Sequence, residues 1–218
     1  ATFERNKVWG DPLTLWEDVV SKSPAKYRPH NNLGVLLMER GDLEKAETAY
    51  KLAISLKPDS AEAHSNLGRV YIEHGEYDRA QYELTQAIDL RNDLADAHNN
   101  LGVVYDKRGE LDRAAAAYIL AIESNPDFSD AYDNLGINYI KQGRYSDAIG
   151  PFLKAAELDP GNSGAHNDLG NLYAMQGDYS KALSEYRAAL AIDPNNQGAR
   201  ANIQRLQGTQ TGTGAGGR

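Results

Sequence analysis

A Leu-Gly pair recurs at Leu33-Gly34, Leu67-Gly68, Leu101-Gly102, Leu135-Gly136 and Leu169-Gly170, 34 residues apart each time with no insertion or deletion. So short and regular a period belongs to one small unit stacked on copies of itself, because a unit of this size must bury its apolar face against a neighbour. The chain therefore reads as one elongated array. Arrays of this kind present extended surfaces that hold partners, where a globular enzyme encloses a pocket.

Counted from six residues before each leucine, the repeats run 27–60, 61–94, 95–128, 129–162 and 163–196. Small or apolar residues stand at position 3 (Pro29, Ala63, Ala97, Ala131, Ala165), at position 7 (the leucines) and at position 10 or 11, the spacing of a buried helical stripe. Glycine at position 15 (Gly41, Gly75, Gly109, Gly143, Gly177) predicts the end of that helix in a turn of positive φ. A second helix then begins at Asp42, Glu76, Glu110, Arg144 or Asp178, mostly acidic at its positive end. It carries alanine at positions 20 and 27 and, between them at position 24, Tyr50, Leu84, Tyr118, Phe152 or Tyr186. The alanine at position 20 is expected to face the glycine at position 8 so that the helices approach closely, and the position-24 side chain to plug the gap toward the next repeat. Proline at position 32 (Pro58, Pro126, Pro160, Pro194; Asn92 in the second repeat) stops the second helix.

This combination of leucine, glycine, tyrosine, alanine, aromatic, alanine and proline at fixed places resembles the tetratricopeptide repeat family over residues 27–196. The departures are Leu37 at position 11, Leu84 at 24, Asn92 at 32, and His30, His64, His98, Tyr132 and His166 at position 4, where the family has tryptophan. The resemblance implies an all-α fold, a right-handed superhelical solenoid of helix-turn-helix repeats. It also implies a non-enzymatic scaffold whose first helices line a concave groove that binds protein or extended peptide.

Residues 1–26 read as a lead-in in which 12–23 form the second helix of an incomplete repeat, with Trp9 at position 17 and Trp16 as its plug. Residues 197–207 read as a C-terminal capping helix, and 208–218, rich in glycine and threonine, as a disordered tail. The lead-in, from Arg5-Asn6 through Trp9, Leu15-Trp16-Glu17-Asp18 and Ser23-Pro24 to His30-Asn31-Asn32-Leu33-Gly34, is similar to the junction where bacterial multi-spanning membrane proteins enter a C-terminal tetratricopeptide domain. Some of those proteins have glycosyltransferase-like membrane portions. That similarity implies an alternative role: an extracytoplasmic accessory domain tethered to an upstream membrane portion, recruiting substrate or joining copies by self-association.

The groove-facing positions nominate the binding residues. Position 6 is Asn32, Asn66, Asn100 and Asn134, with Asp168 in the fifth repeat. Asparagine is a poor helix-interior residue because its amide competes for backbone hydrogen bonds, so its recurrence asks for a reason. The family resemblance implies an amide ladder that holds peptide main chain; tying adjacent first helices together is the other reading. Position 9 (Val35, Arg69, Val103, Ile137) and position 12 (Met38, Ile72, Ile140) offer mainly apolar groups for a partner's side chains or for repeat-to-repeat packing. Acidic residues on one edge of the central groove, among them Asp96, Asp130 and Asp133, favour a neutral or basic segment. The lysines with which some family members clamp a chaperone's terminal carboxylate are missing, save for Arg28.

Composition narrows the classes further. The net charge of -8, from 31 acidic and 23 basic side chains, disfavours nucleic acid and anionic membrane surfaces as partners. Cysteine is absent, so no disulfide or thiolate ligand forms, and the compartment stays open. The position-4 histidines are a full repeat or more apart, too far to share a metal; packing or surface hydrogen bonding accounts for them. No phosphate loop, His-Glu-x-x-His or nucleophile elbow occurs, and no cofactor is expected.

Overall fold

A computed structural model of the chain describes residues 12–212, which hold twelve α-helices and no strand. The described residues divide into two compact blocks, one ending at Ser124 and the other beginning at Asn125. The N-terminal block contains α1 (Pro12–Lys22), α2 (Tyr27–Glu39), α3 (Leu43–Leu56), α4 (Ala61–Glu73), α5 (Tyr77–Leu90), α6 (Ala95–Lys107) and α7 (Leu111–Ser124). The C-terminal block contains α8 (Ser129–Lys141), α9 (Tyr145–Leu158), α10 (Ser163–Met175), α11 (Tyr179–Ile192) and α12 (Gln197–Gly212). Each repeat supplies one packed pair: α2 with α3, α4 with α5, α6 with α7, α8 with α9, and α10 with α11. Trp9 and the Arg5-Asn6 part of the lead-in lie outside the described residues.

The turn inside each pair is set by local backbone chemistry. The five position-15 glycines have φ between 73° and 81°, and they are the positive-φ residues of the described chain. Around Gly41, its N–H reaches the Met38 carbonyl at 3.0 Å and the Asp42 N–H reaches the Leu37 carbonyl at 2.9 Å, closing the end of α2. The same closing bond recurs from Glu76 to Tyr71, Glu110 to Tyr105, Arg144 to Tyr139 and Asp178 to Tyr173. The side chains of Asp42 and Asp178 then accept a backbone N–H of the second helix, capping it.

At position 8 the packing within a pair holds a contact that the sequence reading did not name, while Gly68 also faces Ala80 at position 20, where a Cβ would stand 3.4 Å from its carbonyl oxygen. A Cβ on Gly34, Gly102, Gly136 or Gly170 would stand 2.5–2.8 Å from the ring of Tyr50, Tyr118, Phe152 or Tyr186 of the same repeat, and on Gly68 it would stand 2.6 Å from Leu84. The glycine therefore makes room for the position-24 side chain of its own repeat, which acts as an intra-repeat keystone. The alanines at positions 20 and 27 are fully buried on either side of it.

In the first three repeats position 4 fastens the pair to the preceding loop. The Nε2 of His30, His64 and His98 bonds the carbonyl of Pro24, Pro58 and Asn92 at 2.8, 2.9 and 2.8 Å. His64 also holds Glu83 of α5 through Nδ1 at 2.6 Å, and this bond pushes its imidazole pKa up. His166 of α10 makes the matching bond to Glu185 of α11 at 2.7 Å.

At the C-terminal end α12 runs through Gly212, beyond residue 207 where the repeat pattern of a capping helix ends, and it buries Ala199 and Leu206. Residues 213–218 lie outside the described residues. Among the described residues no helix is long and apolar enough to cross a membrane.

The keystone contact gives a direct test. Tyr118 is buried and cannot swing away, so Gly102→Ala should lower folding stability by about 1–3 kcal/mol, seen as a lower urea midpoint by circular dichroism. An unchanged midpoint would show that α6 and α7 can separate freely.

Candidate functional site

The position-6 asparagines lie half-buried on first helices, where the sequence places them, but they do not behave alike. In the N-terminal block Asn66 of α4 donates from Nδ2 to Oδ1 of Asn31 on α2 at 3.1 Å, so this amide ties two neighbouring first helices together. The side-chain amides of Asn32 on α2 and Asn100 on α6 have no hydrogen-bond partner among the described residues. Each still offers two donors and an acceptor.

The apolar candidates are divided in the same way. Val35, Met38 and Ile72 are partly buried against the core of the N-terminal block, and Arg69 of α4 brings Nε to 3.1 Å from the Met38 sulfur. Val103 is half-buried on α6. In the C-terminal block Ile137 and Ile140 pack partly against the core formed around Phe152 and Leu169. These side chains thus contribute to repeat packing while keeping an exposed part.

A cleft of about 230 Å³ opens at the N-terminal ends of α2 and α4, lined by Tyr27, Arg28, Asn31, Asn32, Ser60 and Glu62. Ser60 is 1% exposed and its Oγ makes no hydrogen bond, a state that costs about 1–3 kcal/mol for a buried hydroxyl. Arg28 donates from Nε to the Tyr27 hydroxyl at 3.1 Å, which holds that phenol below its ordinary pKa, and the Lys57 ammonium sits 4.7 Å from the ring centroid. Glu62 is paired with Arg91 at 2.8 Å. The cleft therefore combines unmet amide and hydroxyl groups with a carboxylate, Glu62, already paired with Arg91 and the Arg28 guanidinium resting on a phenol.

In the C-terminal block the first-helix face is a closed polar network. Asp168 of α10 accepts from Asn167 and Asn171, each at 3.3 Å. Asn202 of α12 donates to Asn171 at 2.8 Å and to Asn167 at 3.3 Å, and the Tyr186 hydroxyl donates to Asn171 at 2.9 Å. Asn162 donates to Asp133 at 3.3 Å. Burial pushes the carboxyls of Asp133 and Asp168 above the usual carboxylate range, and the Asp168 charge adds to the effect on Asp133. Asn134 lies on α8 of the same block, half-buried.

Sequence reasoning missed two parts of this surface. Asn202 continues the position-6 series 34 residues after Asp168, a signal present in the period but hidden by treating 197–207 as a bare cap. Position 5 supplies, with Asn31 and Asn167, the acceptors that Asn66 and Asn202 meet, and only folding brings them within reach. Among the described residues no group of three His, Asp or Glu side chains could hold a metal ion.

Comparison with known proteins fits this geometry. Models described as tetratricopeptide repeat match residues 95–128 and 134–197, and one described as TPR repeat matches 34–75 and 68–108. No curated protein matches. The structure of YrrB, described as a TPR protein with an unusual peptide-binding site, is 25% identical, covers 87% of this chain and 97% of its own, and superposes with a TM-score of 0.63. That of MamA is 28% identical over 74% of this chain and 95% of its own, with a TM-score of 0.65. PilF of Pseudomonas aeruginosa shares the fold at 19% identity, covering 88% of this chain and 95% of its own with a TM-score of 0.72.

The buried acids predict a pH signature. Asp168 has its folded pKa raised, so its protonated form stabilises the native state below the unfolded value of about 3.9, and that contribution is lost as pH rises through the folded value. Asp168→Asn, which keeps an acceptor for Asn167 and Asn171, should therefore raise the urea midpoint at neutral pH, with the gain vanishing near pH 3.5, roughly where the aspartate is neutral in both states. A lower midpoint at neutral pH would show that the charged carboxylate is favoured there.

Proposed function

Because the chain belongs to the tetratricopeptide repeat family, we propose that it is a non-enzymatic scaffold that binds a protein through an extended peptide laid on its first-helix face. The observation that carries this reading is the pair of unpartnered amides, Asn32 and Asn100, at a helix position where asparagine brings no benefit to folding. A peptide main chain presents alternating N–H and C=O groups, and a side-chain amide satisfies one of each. The cleft at Asn32, with the unmet Ser60 hydroxyl beside it, extends the same polar surface.

The candidates take distinct parts in this reading. Asn32 and Asn100 hold backbone in the N-terminal block, while Asn66 is chiefly a strut between α2 and α4. Asn134 and Asp168 line the same face in the C-terminal block, Asp168 with its carboxylate already held by Asn167 and Asn171. The exposed parts of Val35, Met38, Ile72, Val103, Ile137 and Ile140 receive apolar side chains of the peptide, and Arg69 one of its acceptors. A neutral or basic peptide fits best, since Asp133 and Asp168 are buried carboxyls whose charge a basic group would relieve. The peptide-binding site named for YrrB, a structural relative, supports the class of ligand.

The test separates recognition from packing. Random twelve-residue peptides displayed on phage, selected on the intact chain, should yield binders whose affinity falls at least roughly tenfold in the double variant Asn32→Ala/Asn100→Ala while its urea midpoint is unchanged or higher. Asn66→Ala should instead cost about 0.5–1.5 kcal/mol of stability through the lost bond to Asn31. Selected peptides that bind the double variant as tightly as the parent would overturn the proposal.

A further inference from the structure

The repeats act as controls for one another at the position-4 histidines. In the second repeat His64 meets the carboxylate of Glu83, and in the fifth His166 meets that of Glu185, the acid lying 19 residues after the histidine in both. In the fourth repeat Tyr132 and Pro151 take the two places, and in the first Ala49 stands opposite His30. In the third repeat the histidine is kept and the acid is gone: 19 residues after His98 stands Ala117, preceded by Ala116 where the second repeat has Tyr82.

The missing side chains leave a cleft of about 400 Å³ between α5 and α7, with α6 between them, inside the N-terminal block. His98 lines this cleft, is 7% exposed, and is bonded through Nε2 to the Asn92 carbonyl at 2.8 Å. Its Nδ1 has no partner among the described residues. The walls are apolar, from Ile88, Leu101, Ala116, Ala117 and Leu120. Arg113 stands at the rim, its guanidinium 4.0 Å from the centroid of the Tyr105 ring, donating to that hydroxyl at 2.8 Å and paired with the Glu110 carboxylate.

We propose that this cleft binds a small apolar carboxylate, one carboxylate oxygen accepting from Nδ1 of His98 as Glu83 does at His64, and the apolar body lying between α5 and α7. The chain itself shows the chemistry the site takes, because a carboxylate occupies the equivalent place twice. The Asn92 carbonyl can only accept, so Nε2 carries a proton; a carboxylate at Nδ1 then holds the ring as imidazolium with both nitrogens donating. His64, placed between the Pro58 carbonyl and Glu83, has its pKa raised in this way. Arg113 at the mouth is already paired with Glu110, so the ligand's charge is met by His98, and the volume suits a ligand of modest size. An extended peptide is a poor occupant, because Thr85 is the remaining lining side chain with a hydrogen-bonding group free of these contacts, and main-chain groups would be buried unpaired. The site uses α5, α6 and α7 and none of the first-helix amides, so it stands or falls apart from the peptide surface.

Calorimetric titration of 3-phenylpropionate into the intact chain at about pH 6.5, with the His98 imidazole followed by nitrogen-15 NMR, tests the site. Saturable binding with a Kd of about 1 mM or tighter is expected, together with a shift of the His98 Nδ1 resonance. The neutral amide, 3-phenylpropanamide, should bind roughly tenfold or more weakly. Ala117→Glu, which gives His98 the partner that His64 and His166 have, should abolish binding. No saturable binding up to about 10 mM, equal affinity for acid and amide, or full binding by Ala117→Glu would each overturn the proposal. Should Ala117→Glu fail to fold, the comparison of acid and amide on the parent chain decides.

Discussion

The contact between the position-8 glycine and the position-24 side chain of the same repeat is the constraint on which the rest depends. It joins residues only 16 apart in sequence, so each helix pair is specified by its own local chain, and such low-order contacts form before distant ones. Burying a large side chain completely is worth about 1.5–3 kcal/mol, and the missing Cβ lets the helices close around it without strain. Leu84 in the second repeat shows that the contact asks for a bulky apolar shape and has no special need of an aromatic ring. Because the pair is held together from inside, the outer positions of the first helices and the spaces between second helices are left to carry other chemistry.

That freedom is used differently in the two blocks. In the C-terminal block the polar groups satisfy one another: Asp168, Asn167, Asn171, Tyr186 and Asn202 form a continuous set of hydrogen bonds that reaches the last helix. A network whose members are already paired gains little from a ligand, since each new bond replaces an existing one. In the N-terminal block Asn66 is the strut and its neighbours Asn32 and Asn100 are left with open amides, beside a buried hydroxyl on Ser60 that has nothing to bond. Unmet polar groups are expensive in a folded core, and their concentration on one face is what separates a recognition surface from a merely polar one.

Much of the fold was legible because it is written in local backbone rules. The five glycines with positive φ, the acidic residues that open the second helices and the proline stops fix each hairpin within a few residues. Side-chain partners across a hairpin were not legible. Position 8 was matched to the alanine at 20 because both are small, but the closer contact, to the large side chain at 24, gave no signal in the sequence. The bond from His64 to Glu83, and that from Asn66 to Asn31, join residues 19 and 35 apart that only the geometry of helix pairing brings together. The site was half legible for the same reason: the period gave the asparagines a common face, but whether each amide is already engaged depends on its neighbour one repeat away.

Repetition also explains what kind of ligand each surface can select. A feature repeated at every 34-residue step, such as the amides on the first helices, suits a ligand that is itself repetitive, and a polypeptide main chain is the commonest one. A feature that breaks the repeat suits a single molecule, because no neighbouring step offers it a second place to bind. Position 23 runs Ala49, Glu83, Ala117, Pro151, Glu185, and it can vary because the keystone at position 24 is retained throughout. The third repeat keeps the histidine that Glu83 and Glu185 engage elsewhere and removes the acid, which places a buried, one-sided hydrogen-bonding group in an apolar cleft. The first repeat likewise keeps its histidine, His30, opposite an alanine, with the same bond to the preceding loop; what marks the third repeat is the open apolar volume that His98 lines between α5 and α7.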